Sequence, residues 1–176
     1  VAKLEEELEE GRTVEFNAMF MTLPVEPAVR IPAYRAEERA SGTPIDGVVV
    51  SAGIPELDEA VELIHTLNAD GFPYVSFKPG TVDQIRQVVR IAKAVAPVKV
   101  LIEVEGGSAG GHHSWESLDD LLLSTYAEVR EQANLVLVVG GGIGTPERGA
   151  TTSPANGPPN TVARSCRWTA CLSAPP

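Results

Sequence analysis

Two adjacent histidines, His112 and His113, follow a run of glycines (Gly106, Gly107, Gly110 and Gly111) and precede Ser114 and Trp115. Imidazole titrates nearest neutral pH of the common side chains, so it suits proton transfer, hydrogen bonding or metal ligation. Glycines let a backbone approach a flat or charged ligand, because no Cβ intervenes. Val98 to Ile102, a β-branched run, leads into this segment through Glu103, Val104 and Glu105, and a helical pattern from Leu118 to Val129 leaves it. The histidines therefore fall in a loop at the C-terminal end of a strand, where βα folds place their chemistry. Asn17, Ser51, Lys78 and Glu105 stand at the ends of apolar runs in the same way. Each alone reads as loop solvation. Their recurrence at successive strand ends favours one ligand facing them all.

A second glycine loop, Gly140-Gly141-Gly142-Ile143-Gly144, also follows a strand pattern and precedes a helix start at Thr145-Pro146-Glu147. Backbone N–H groups and a helix dipole in that arrangement suit a phosphate. A merely tight turn is the competing reading. The G-x-G-x-G spacing is not the dinucleotide fingerprint, and no Gly-Lys-Ser/Thr follows as in a Walker loop. A zinc site at His112 and His113 lacks a third ligand, and neighbouring side chains in extended backbone point apart. His65, the remaining histidine, lies in a helical pattern beside Ile64 and reads as structural. Ser114 with His113 lacks the G-x-S-x-G elbow of a serine hydrolase. One imidazole acting as acid, base or hydrogen-bond donor near a bound cofactor remains.

The elements that must position these residues are legible in the apolar periodicity. Residues 1–10 suggest a short acidic helix, and Val14 to Met21 a strand. Prolines at 24, 27 and 32 leave residues 22–40 irregular. From Ile45 strands and helices alternate: a strand at 46–51, a helix carrying Leu57, Val61, Ile64 and Leu67 and ended by Gly71, then a strand at 74–78. Thr81 and Gln84 form a capping box for a helix with Val82, Ile85, Val89 and Ala92 on one face. A strand at 98–104, a helix marked by Leu118, Leu121, Leu122, Tyr126 and Val129, and a strand at 135–139 complete the pattern. Strands apolar on both faces, alternating with helices, signal an α/β fold with a parallel sheet, either barrel or doubly wound. A complete (β/α)₈ TIM barrel needs ~250 residues, so a barrel in this chain is partial, with about five strands.

The 176 residues suffice for one domain with a core. A formal net charge of −10 argues against nucleic acid as the main partner. No apolar run reaches the ~20 residues of a membrane span. The acidic N-terminus is no signal peptide, and Cys166 and Cys171 make no disulfide framework. A cytoplasmic setting is the default expectation. The first residue, Val1, suggests a fragment or processed product. Residues 149–176 carry no acid, five prolines and no apolar period, the composition of a disordered tail.

Several blocks resemble the enoyl reductase domain of bacterial (mycobacterial-type) type I fatty acid synthase. They are Phe16-Asn17-Ala18, residues 45–56, Phe77-Lys78-Pro79-Gly80-Thr81, Glu105-Gly106-Gly107, Gly110 to Glu116, and Val139 to Arg148. That domain is a flavin-binding TIM barrel related to single-chain flavin enoyl reductases and nitronate monooxygenases. The resemblance covers roughly residues 12–21 and 40–148, so residues 1–148 read as a partial domain holding strands three to seven. It implies bound FMN, NADPH as reductant, and a trans-2-enoyl thioester carried by an acyl carrier domain, with other synthase domains and subunits as partners. By the same resemblance His112 matches the catalytic histidine. Asn17, Glu105, Gly110, Gly111, Gly141 and Gly142 match flavin-contacting positions, with Ser51 and Lys78 as weaker matches. No metal is implied. The rival expectations are a nitronate-oxidising flavoenzyme and an inactive truncated remnant.

Two segments depart from the family. Codons for residues 151–157, shifted by one base, permit the family-like string DYLTGEW; Cys166 to Cys171 permit MPVDGV, and the final residues LVGTA. Residues 23–37 in the opposite shift permit YLWNLQFGSQRI. Residues 22–39 and 149–176 are therefore expected to be out-of-frame translation. Resequencing the DNA across both tests this, and an unbroken frame overturns it.

Overall fold

The computed structural model describes residues 7–20, 44–110 and 113–147. In order they form β1 (Val14–Met19), β2 (Ile45–Ser51), α1 (Leu57–Ala69), β3 (Tyr74–Phe77), α2 (Val82–Ala94), β4 (Val100–Glu105), α3 (Leu118–Arg130) and β5 (Leu135–Gly140). Of the acidic helix expected over 1–10, only Glu7 is both described and helical. Residues 22–39 and 149–176, together with Gly111 and His112, lie outside the described residues.

The five strands form one sheet in the order β1-β2-β3-β4-β5, every pair parallel. Strand order never reverses among them, so the switch-point crevice of a doubly wound sheet is not formed by these strands. α2 packs against both α1 and α3, which places the three helices side by side. Crossovers of a single hand along an unreversed sheet have this consequence.

Register then divides the strand residues into two sets. Ala18, Val48, Val50, Val75, Phe77, Val100, Ile102 and Val104 share one core with Ile64, Leu67, Ile85, Val88, Ile91 and Leu121 of the helices. Full burial of an aliphatic side chain of this kind contributes roughly 1.5–3 kcal/mol. The alternate positions point to the other face: Glu15, Asn17 and Met19 of β1, Val49 and Ser51 of β2, and Ser76 of β3. Leu101, Glu103 and Glu105 of β4 and Val136 and Val138 of β5 continue it. The expectation of strands apolar on both faces thus holds for β2 and fails for β1 and β4. Their second face is acidic.

Helix ends follow the sequence signals with small corrections. Gly71, at φ +89°, follows the last turn of α1 in the left-handed conformation that favours glycine. Thr81 Oγ1 accepts from Gln84 N at 3.2 Å, but Gln84 Oε1 accepts from Gly80 N at 2.7 Å, one residue earlier than a standard capping box. The buried stripe of α2 is Ile85, Val88, Ile91 and Ala92, while Val82 and Val89 are only partly covered. In α3, Leu118, Leu121, Thr125 and Val129 are buried. Tyr126, expected on the core face, is instead 40% exposed, with the Arg130 guanidinium 5.9 Å from its ring centre. β4 and β5 each run one residue further than expected, because Glu105 pairs with Gly140 in the ladder.

Candidate functional site

The C-terminal ends of the strands bring together most of the residues singled out by sequence. Lys78, just beyond β3, donates its backbone N–H to Val50 O at 3.0 Å. Its Nζ lies 2.7 Å from Glu105 Oε2, with both side chains about three-quarters buried. Beyond this ammonium the buried oxygen has no hydrogen-bond partner. Next along the sheet, Ser51 Oγ donates to Asn17 Oδ1 at 2.6 Å. Ser51 is buried while Asn17 is exposed, so the hydroxyl fixes the amide at the rim.

Below this rim stands a second polar layer that sequence reasoning missed. Ser76 Oγ donates to Glu15 Oε1 at 2.7 Å. Burial raises the Glu15 carboxyl above its usual range; the Ser76 bond opposes the rise and Asp46 adds to it. Burial, followed by repulsion from Glu15, lifts Glu103 to about 7, with Lys78 opposing and Glu105 adding to the rise. Among the described residues, three carboxylates thus share this face with Lys78. The signal was present as the alternation Val100, Ile102, Val104 against Leu101, Glu103, Glu105, which is the period of a strand with two unlike faces.

The two glycine loops lie against each other. A Cβ at Gly141 would stand 2.7 Å from Ala109 Cβ, and one at Gly142 2.9 Å from Ser108 Cβ. Both glycines are also left-handed, at φ +83° and +73°, so two independent constraints exclude side chains there. At Gly106 the added carbon would collide with the backbone N of Leu118, so this glycine seats the loop on the start of α3. Gly110 is exposed on the same loop. Gly111 and His112, the positions matched to flavin contact and catalysis, lie outside the described residues.

Ser114 is committed to structure rather than to nucleophilic chemistry. It is buried, and its hydroxyl donates to Gly80 O at 2.6 Å and accepts from Glu116 N at 2.9 Å. Gly107 N adds a bond to Glu116 O at 2.9 Å. These contacts hold the β4–α3 loop over the strand ends while the next side chain, Trp115, stands 99% exposed. His65 lies on the exposed face of α1, on an element apart from the loop. Among the described residues no three His, Cys, Asp or Glu side chains are placed to hold a metal ion, and no helix is long and apolar enough to cross a membrane.

A family described as fatty acid synthase subunit beta/Fas1-like, helical, matches residues 99–152. That range spans β4, the glycine-rich loop, α3 and β5. The fatty acid synthase subunit beta of Schizosaccharomyces pombe is 39% identical over 144 residues, covering 82% of this chain and 7% of that protein. The chain is similar to fatty acid synthase beta subunits. Fatty acid synthase 2 of Mycosarcoma maydis is 42% identical over 126 residues, 72% of this chain and 3% of that protein. The subunit beta of Saccharomyces cerevisiae is 36% identical over 139 residues, 79% of this chain and 6% of that protein. The chain thus spans less than a tenth of the length of these fungal relatives. These relatives are fungal fatty acid synthase proteins, where the sequence blocks resemble the bacterial type.

Proposed function

We propose that this beta-subunit-like chain is part of an enoyl reductase domain, reducing trans-2-enoyl thioesters with NADPH through FMN. The observation that carries the reading is convergence. Asn17, Ser51, Lys78, Glu105 and the two glycine loops meet at one end of a single parallel sheet. The names of the relatives favour a thioester over a nitronate as substrate.

The same reading takes the sheet as five strands of a (β/α)₈ barrel. A sequential parallel sheet with its helices side by side leaves its second face to be covered. Closure of the sheet on itself encloses that face, and a polar interior layer near the strand ends suits a ligand site.

The residues present fit a flavin. Glu105 is a buried carboxylate whose Oε2 faces Lys78 Nζ at 2.7 Å and no other partner, so it can accept from a ligand N–H when the lysine yields. Asn17, oriented by Ser51, offers an amide at the rim. Gly141 and Gly142 bring bare backbone to the surface beside a helix start, where a phosphate is favoured. When bound, FMN supplies hydride transfer. This chain's part is to hold the ring against Glu105 and Lys78, to exclude water with the loop anchored by Ser114, and to present an imidazole at His112 for a proton.

The test is binding and turnover. Incubation with FMN is expected to quench flavin fluorescence stoichiometrically in the parent polypeptide, which then oxidises NADPH only when a trans-2-enoyl thioester is added. Flavin binding with turnover of a nitronate but not of the thioester overturns the substrate assignment. Absence of flavin binding overturns the reading.

A further inference from the structure

Lys78 is the cation on a face that carries Glu15, Glu103 and Glu105, and its Nζ is drawn to Glu105 at 2.7 Å. Phe77 pairs with Ile102, so the next residue, Lys78, stands level with Glu103 in the parallel register. Glu105 lies two residues further along the same strand and on the same face. The ammonium therefore has two carboxylates within its compass, one beside its own backbone position and one at the rim.

We propose that Glu103 competes with Glu105 for Lys78, so that ionisation of Glu103 draws the lysine inward and frees Glu105 to accept a hydrogen bond from a ligand N–H. The inference rests on the flavin reading for the identity of the ligand, but the sharing of the lysine does not.

Charge balance explains the device. With all three glutamates ionised, the face would hold two uncompensated buried charges, which low-dielectric surroundings disfavour. One proton relieves this, and Glu103 is the group burial lifts furthest toward neutrality. Among the described residues, the ionisable groups facing Glu103 are Glu15 from β1, Lys78 from beside β3 and Glu105 from its own strand, with Asp46 acting on it through Glu15. β5 contributes only Val136, Val138 and Gly140 to this face. While Glu103 holds its proton, Glu105 keeps the lysine and the site is closed to an N–H donor. After the proton leaves to solvent, two carboxylates divide one cation and the Glu105 oxygens become available.

The test has two independent readouts on the longer parent polypeptide. Infrared titration between about pH 5 and about pH 9 follows the protonated carboxyl band. A band lost near neutrality is expected in the wild type, absent in Glu103→Gln, and shifted to higher pH in Lys78→Gln. FMN affinity is then measured over the same range for wild type and Glu103→Gln, their ratio cancelling titration of the FMN phosphate. That ratio is expected to change roughly three- to tenfold across neutrality, the size of a proton-linked effect of about one pKa unit. No carboxyl band titrating near neutrality, a band indifferent to Lys78→Gln, or a flat affinity ratio overturns the proposal. Absence of FMN binding at every pH, with the band and its lysine response intact, overturns the flavin reading and supports the shared lysine.

Discussion

Glu103 ties the stability of the fold to pH as well as the chemistry of its rim. Its carboxyl moves from 4.5 to about 7 on folding, chiefly because burial disfavours the charged form. The folded state therefore binds the proton more tightly than the unfolded chain. Stability is fully present below the unfolded value and is lost as pH rises from about 4.5 through about 7. Linkage sets the ceiling of this loss at roughly 3 kcal/mol, shared with Glu15, whose charge also raises Glu103. Glu103→Gln is expected to flatten that part of the pH profile, measured as urea midpoints at pH values on either side of the window. A wild-type midpoint that rises across it would show the carboxylate already compensated in the folded state. Ser51 makes a separate residue-level case. Its hydroxyl is the donor that orients Asn17 at 2.6 Å, so Ser51→Ala is expected to cost about 1 kcal/mol and to weaken flavin binding through Asn17 mobility. Fluorescence quenching with FMN beside a thermal melt separates the two effects.

At the scale of elements, close approach and end charge decide what sequence can change. Gly106 seats the β4–α3 loop so tightly on Leu118 that an added Cβ meets backbone rather than a movable side chain. Gly106→Ala is expected to cost about 1–3 kcal/mol, read as a lowered urea midpoint with increased proteolysis between Glu105 and Leu118. Asp70 is the reverse case. It caps the C-terminus of α1, whose last turn has no basic residue, and its Oδ2 is buried without a hydrogen-bond partner. A carboxylate there opposes the helix dipole, so Asp70→Asn is expected to stabilise by about 0.5–1 kcal/mol in thermal unfolding. These ends were legible in sequence because caps are local: Thr81, Gly71 and the Leu118 start all follow from neighbours a few residues away. The second face of the sheet was not. Glu103 and Glu105 alternate with Ile102 and Val104 in plain view, but Glu15 and Ser76 join them only through strand register, which sequence spacing does not carry. Tyr126 was misplaced for a related reason: α3 contacts α2 along a stripe ending at Thr125 and Val129, narrower than its run of apolar residues.

For the whole molecule, the sheet poses a problem of edges. Among the described residues, β1 and β5 each pair with one neighbouring strand only. The face that carries the glutamates also holds Val49, Leu101, Val136 and Val138, and Phe16 and Met19 of β1 are about half exposed. Parallel sheets are covered on both faces, and unpaired apolar edges recruit other strands. A barrel resolves both demands in one step, since closure pairs the edge strands and encloses the second face. The 176-residue chain by itself is therefore expected to self-associate and to hold flavin poorly. A longer polypeptide that supplies the remaining strands is expected to sediment as a defined species that is yellow when purified with FMN. Sedimentation velocity over a tenfold concentration range distinguishes them. A positive charge on β5, Val138→Lys, is expected to reduce association of the short chain by disfavouring strand addition, and, on the proposed barrel closure, to abolish flavin retention in the long one, because the position shares the face of Glu103. A short chain that is monomeric at every concentration would mean that its edges are already covered. The barrel would then have no role in keeping the sheet soluble, although the strand-end site would keep its own case.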